Sequence, residues 1–180
     1  DIPVEVIEPA LLASTNLSRF TAIVVGPRAY EASEVLVKQN PRLLDFARAG
    51  GTLVVQYGAQ NMNALPGITP YPLQWAPRAA RVTMEQAPVT LLQPTHPLLT
   101  TPNRIGPADW TGWVQERATY MPSVIDRRYT PLLRMNDPDE PANDGGLLVT
   151  SLGKGRYVYV TLALFRQWAA GVPGGARILA

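Results

Sequence analysis

Residues 40–56 read NPRLLDFARAGGTLVVQ, and the fold turns on them. Asn40 and Pro41 carry a helix start signal: an N-cap side chain, then a residue whose missing N–H costs nothing in a first turn. Leu43, Leu44, Phe46 and Ala47 supply an apolar face, and Gly50-Gly51 stops it. Thr52 to Gln56 is an apolar, β-branched run, the habit of a strand covered on both faces in a parallel sheet. Upstream, Phe20 to Val25 reads the same way and is stopped by Gly26-Pro27. Strand, helix and strand in succession form a right-handed crossover unit. We expect an α/β fold: a three-layer sandwich with a mostly parallel sheet. In it Ile23–Val25 lies beside Leu53–Val55, parallel and both central.

Outside this unit the signals are shorter. Val4 to Ile7 alternates apolar and acidic residues as a short strand would. Pro66, Pro70, Pro72 and Pro77, set among Tyr71 and Trp75, argue for a loop. Val82–Met84 and Val89–Leu92 have the character of short strands, 106–112 is turn-rich, and 137–146 is a polar loop. Leu147–Thr150 and Tyr157–Leu162 around Gly153-Lys154-Gly155 predict a C-terminal β-hairpin. A last helix is expected to begin near Gly174 and to run past Ala180.

The chain has 180 residues, 46% of them hydrophobic, enough for one domain with a sizeable core. Sixteen basic against fourteen acidic residues give a formal net charge of +2, without a basic stripe that would suit nucleic acid. No apolar run is long enough to span a bilayer. There is no cysteine, hence no disulfide, no thiolate metal site and no cysteine nucleophile. No signal peptide is visible, and the compartment is not set by the sequence. The chain opens at Asp1 and ends at Ala180 in an apolar run, so we expect a single domain, 1–180, that is a piece of a longer protein.

Five segments together carry a family resemblance: FTAIVVGPRAYE (20–31), LLDFARAGGTLVVQYGAQN (43–61), HPLL (96–99), DWTGWVQER (109–117) and GKGRYVYVTLALFRQ (153–167). They resemble the class I glutamine-amidotransferase-like domain fused behind PIG-L-type, N-acetylglucosaminyl-deacetylase-like proteins. The resemblance covers nearly all of the chain. It implies a flavodoxin-like sheet, an opening strand and helix upstream of Val4–Ile7, and deacetylase chemistry in an upstream domain. In that superfamily a sharp turn after a strand presents a Cys nucleophile, and a His and an acid follow the last strand. Here Tyr57-Gly58 falls at the turn, and Ala163, Leu164 and Phe165 follow the last strand. A phenol with a pKa of about 10 is mostly protonated at neutral pH and is no activated nucleophile. The PIG-L zinc motif is absent as well. The resemblance therefore implies a non-catalytic accessory domain that binds a ligand or packs on its own upstream domain, with no cofactor or metal.

Seven residues are candidates for ligand binding: Tyr57, His96, Asp109, Trp110, Trp113, Glu116 and Arg117. On a helix Trp110, Trp113 and Arg117 would share a face continued by Tyr120. They could bound a surface groove for a carbohydrate or a partner, or else pack in the core with a paired Arg117. Two other functions stay open: a carbohydrate-binding module using these aromatics, and a hydrolase using Glu116, His96 and Asp109 as an acid–base set. His96, the only histidine, reads better as a hydrogen-bonded connector than as a ligand. Asp137, Asp139, Glu140 and Asp144 lack calcium-loop spacing and read as a solvated turn. Gly153-Lys154-Gly155-Arg156 lacks phosphate-loop spacing and reads as the hairpin turn.

Overall fold

A computed structural model describes residues 3–65 and 67–180. The crossover unit is present. Strand β1 (Ala22–Val25) leads through a short helix α1 (Ala29–Ala32) and a long helix α2 (Glu34–Ala49) into β2 (Thr52–Gln56). β1 and β2 pair in parallel, with Ile23 opposite Leu53 and Val25 opposite Val55. α2 presents Leu36, Asn40, Leu43, Leu44 and Ala47 to the sheet, an i, i+4, i+7, i+8, i+11 stripe. Gly50 ends it at φ 129°, a backbone setting that glycine adopts without strain.

The helix starts earlier than the sequence suggests. Ser33 is the N-cap, its hydroxyl accepting the Leu36 N–H at 3.2 Å, so Asn40 and Pro41 lie inside α2. Asn40 spends its side chain on tertiary contacts instead. Its Oδ1 accepts from the Tyr30 hydroxyl at 2.5 Å, and its Nδ2 donates to the Gly67 and Ile68 carbonyls.

The remaining elements are β3 (Leu73–Gln74), β4 (Ala80–Val82), β5 (Val89–Leu91), α3 (Pro97–Thr100), β6 (Ala118–Met121), β7 (Val124–Ile125), β8 (Thr130–Met135), β9 (Asn143–Leu152), β10 (Gly155–Val160), α4 (Leu164–Ala169) and α5 (Pro173–Leu179). The main sheet runs β1-β2-β10-β9-β8-β5, and the pairs β3–β7 and β4–β6 form two small ribbons. β1, β2 and β10 are mutually parallel, whereas the β10–β9, β9–β8 and β8–β5 pairs are antiparallel. The sheet is thus mixed rather than mostly parallel. β8, β9 and β10 follow one another through short connections, which can only join antiparallel neighbours, and β5 adds to β8 at the far edge. The hairpin is where it was expected, turning at Gly153 with φ 61°.

Alternation along the strands buries both faces of the sheet. Leu53, Val55, Tyr157 and Tyr159 pack in one apolar cluster with α2. Val158, Val160, Leu147, Val149, Leu164 and Val172 pack in a second, on the opposite face. Two further expectations are corrected. Among the described residues β1 is the edge of the sheet, not a central strand, and Val24 is exposed. Val4–Ile7 forms no strand, and Val4 and Val6 point to solvent, because no neighbouring strand takes up the alternating pattern. Among the described residues no helix is long and apolar enough to cross a membrane.

Candidate functional site

The C-terminal ends of β1, β2 and β10 share one edge of the sheet, the edge at which open α/β sheets bind ligands. Tyr57 follows β2 there. Its N–H donates to the Val160 carbonyl at 2.8 Å, and its own carbonyl accepts the Arg28 N–H at 2.7 Å. The Gly58 N–H donates to the Tyr159 hydroxyl at 3.3 Å, and a Cβ on Gly58 would run into the Met62 side chain. The Tyr57 ring is buried and stacks on Tyr120, with centroids 6.0 Å apart and planes 29° apart. Burial, and after it the negative charge of Glu116, push the Tyr57 phenol above its usual pKa, against the pull of Arg166 and Arg28.

Charged groups surround this tyrosine pair. Arg81 of β4 bonds Oε2 of Glu116, and Arg166 of α4 pairs with Oε1 of Glu116 at 3.1 Å. Arg28 holds Oε2 of Glu31 through Nε and Nη2 at 3.1 and 3.0 Å, while Oε1 of Glu31 accepts the Ala59 N–H. The layering is uneven. The side chains of Arg28, Arg81 and Arg166 are 60%, 47% and 30% exposed, those of Glu31 and Glu116 only 11% and 7%. The carboxylates form the floor and the guanidinium groups the outer surface.

The backbone around the site is strained. Arg28, Gln115 and Tyr120 have φ of 58°, 66° and 52°, in the left-handed region that costs a side-chain-bearing residue about 1–2 kcal/mol. Among the described residues the one other such non-glycine is Asp139, in a distant turn. Next to the site, Met62, Ile68, Tyr71, Leu73 and Trp75 line a cleft of about 580 Å³. The Trp75 indole N–H donates to the Tyr120 carbonyl at 2.8 Å, tying that cleft to the tyrosine pair.

The residues singled out by sequence divide into three groups. Tyr57 and Glu116 meet at the sheet edge. Trp110, Trp113 and Arg117 do not form a groove: they are 8%, 3% and 5% exposed. They are not on one helix either, since a 3₁₀ turn at Pro107–Trp110 gives way to β6. The Trp113 indole N–H donates to the Asp109 carbonyl at 2.7 Å, and Arg117 Nη1 donates to the Trp110 carbonyl at 3.0 Å. The Arg117 guanidinium lies 5.9 and 5.6 Å from the two indole centroids and, among the described residues, pairs with no carboxylate. The aromatic spacing therefore serves core packing around a buried cation. Asp109 accepts from the Gly106 N–H at 2.9 Å and from Arg177 Nε at 2.6 Å, pinning α5.

His96 caps α3, its Nδ1 accepting the Leu98 N–H at 3.2 Å, and the charge that bears on it is Arg156, at the opposite end of β10 from Tyr57. Glu116, His96 and Asp109 thus sit in three separate networks. In the acidic loop Asp137 accepts from Thr83 and Met84, and Asp144 pairs with Arg134. Among the described residues no three His, Cys, Asp or Glu converge as metal ligands. Arg28, Glu31, Arg81 and Arg166 are site residues that the sequence did not reveal, and Tyr120, which it set on a helical face with the tryptophans, belongs to this site instead. They stand on four separate segments, and the one available signal was that 28 and 166 follow strand ends.

No family model matches the chain, and no curated protein matches it. Several solved structures do. A β-galactosidase from Rahnella sp. R3 aligns at 20% identity and TM-score 0.52 over 91% of this chain and 23% of its own. Two cytoplasmic proteins of Salmonella typhimurium align at 12% identity. One has TM-score 0.52 over 85% of this chain and 66% of its own, the other 0.51 over 99% and 81%. The chain therefore spans about a quarter of the galactosidase and two thirds or more of the Salmonella proteins. At these identities the likeness is one of fold.

Proposed function

We propose that this chain is a non-catalytic, amidotransferase-like accessory domain that binds a small polar ligand at the C-terminal edge of β1, β2 and β10. Its catalytic neighbour would be the PIG-L-type deacetylase that the sequence resemblance implies. In this reading β1, β2 and β10 are a flavodoxin-like core, the two apolar clusters are the interfaces of a three-layer sandwich, and β9, β8 and β5 extend it.

One observation carries the reading: at the turn after β2 the side chain in the nucleophile's place is a buried phenol, Tyr57, stacked on Tyr120. The Tyr57 phenol is pushed above its usual pKa. The nearby carboxylate, Glu116, has both oxygens engaged by guanidinium groups. A nucleophile needs a base within hydrogen-bond reach, and the carboxylate beside Tyr57 is instead ion-paired to two guanidinium groups. The strained backbone of Arg28, Gln115 and Tyr120 supports a binding role, since such strain persists where a site requires it. The likeness to a segment of a β-galactosidase supports the accessory arrangement, a domain of this fold inside a longer enzyme chain, and favours a carbohydrate as ligand.

The test is a pair of assays on the purified chain. Incubation with glutamine, with N-acetylglucosamine conjugates and with a chromogenic ester should give no turnover. Titration with a saccharide panel should change the fluorescence of Trp75, which bonds Tyr120. Turnover that disappears in Tyr57→Phe would sink the non-catalytic reading.

A further inference from the structure

We infer that the ligand of this edge site is an acidic sugar, a uronate or a sugar phosphate, whose oxyanion is held by the outward N–H groups of Arg28, Arg81 and Arg166. The inference rests on the accessory-domain reading only in taking the site to bind rather than to convert.

Charge sets the ligand's sign. Three guanidinium groups face two carboxylates, so the cluster has an excess of one positive charge. Both carboxylates lie underneath, and the field at the solvent side is that of the cations.

Donor counting says what they can hold. A guanidinium carries five N–H donors. Glu116 takes one nitrogen each from Arg81 and Arg166, and Glu31 takes two from Arg28. Arg166 Nε, which has no hydrogen-bond partner among the described residues, is buried and is not among the outward donors. The remaining donors suit a planar or tetrahedral oxyanion, which guanidinium groups bind in forked pairs.

Rings set the rest of the ligand. Tyr120 is half-buried with the Arg81 guanidinium 6.0 Å from its centroid, and Phe165 is exposed with the Arg166 guanidinium 5.1 Å from its centroid. Each cation thus has an apolar wall beside it. A sugar ring, with one C–H face and a polar rim, meets both requirements, whereas a bare inorganic anion uses only the cations.

The experiment is calorimetric titration of the intact chain with galacturonate, galactose 6-phosphate, neutral galactose and inorganic phosphate. One or both acidic sugars should bind about tenfold or more tightly than galactose, as charge-assisted forked bonds require. Raising salt from about 20 to about 200 mM should weaken that binding, because half-exposed cations are screened. Whichever acidic sugar binds more tightly identifies the carboxylate or the phosphate as the oxyanion. Arg81→Gln and, separately, the more exposed Arg28→Gln should each cost about tenfold in affinity in protein that circular dichroism shows to be folded. Arg48→Gln, at an exposed pair near the end of α2 and at the opposite edge of the sheet, should have no effect. Equal affinity for galactose and the acidic sugars overturns the inference, as does inorganic phosphate matching them or no binding by any of the four. None of these results touches the accessory-domain reading, which falls instead if glutamine is turned over.

Discussion

Asn40→Ala tests whether this residue is a helix cap or a buried tertiary anchor. Asn40 is 1% exposed. It accepts from the Tyr30 hydroxyl at 2.5 Å and donates to the Gly67 and Ile68 carbonyls at 2.6 and 3.2 Å. Gly67 is exposed, so water can replace the amide at its carbonyl. Tyr30 and Ile68 are buried, and each would be left with an unmet polar group. At about 1–3 kcal/mol per orphaned group, the loss is roughly 2–6 kcal/mol. Alanine's better helix propensity returns at most about 0.7 kcal/mol. A net loss of about 3 kcal/mol follows, or roughly 6–12 °C in thermal midpoint for a chain of this size. Urea titration followed by circular dichroism reads it, with the midpoint shifted and the slope unchanged. Asn40→Asp should be no better, because a carboxylate would face two carbonyl oxygens. A loss near 1 kcal/mol or less, the usual worth of an N-cap, would refute the anchor argument.

Two further outcomes follow from the same contacts. Trp113→Ala should destabilise by about 3–5 kcal/mol in the same titration, because the ring is core and its indole N–H holds Asp109; a folded variant of unchanged midpoint would return Trp113 to the surface. Burial, and then the charge of Arg156, hold the His96 imidazole below its usual pKa, so the unfolded chain takes up the proton first. Stability should therefore be flat above about pH 6.5 and fall as the pH drops below it, and His96→Asn should remove that fall in urea midpoints between about pH 7.5 and 5.5.

The parallel β1–β2 pair and the β9–β10 hairpin were legible because their signals are local: unbroken apolar runs in one case, a glycine turn in the other. Elements decided by distant partners were not. Asn40-Pro41 has the chemistry of a helix start, yet the amide of Asn40 is claimed by Ile68, far along the chain, and α2 runs through. Trp110, Trp113 and Arg117 fall at helical spacing, but the backbone between them is a 3₁₀ turn and a bend leading into β6. Their contact comes from the folding of that turn, not from a helix face. β8 went unread because Pro131 interrupts its pattern. The antiparallel half of the sheet escaped with it, since strand direction is set by connections rather than by composition.

The candidate site was legible in two residues, Tyr57 and Glu116, and the reason bears on its function. At the opposite edge of the parallel strands, the left-handed positions beside β2 and β10 are Gly50 and Gly153, which bear no strain. At the Tyr57 edge the left-handed positions are Arg28, Gln115 and Tyr120. Glycine would relieve the backbone in each case, and two of these three side chains, Arg28 and Tyr120, face the site. The same edge buries Glu31 and Glu116, and buried ion pairs are seldom a net gain in stability. Packing accounts for part of this, since Tyr57 and Tyr120 join the apolar cluster on the α2 face, but not for Arg28 or for the buried carboxylates. A fold that relaxes its backbone at one edge and holds charged and aromatic side chains under strain at the other has concentrated its unfavourable terms where the ligand we propose would meet Arg28, Arg81, Tyr120 and Arg166.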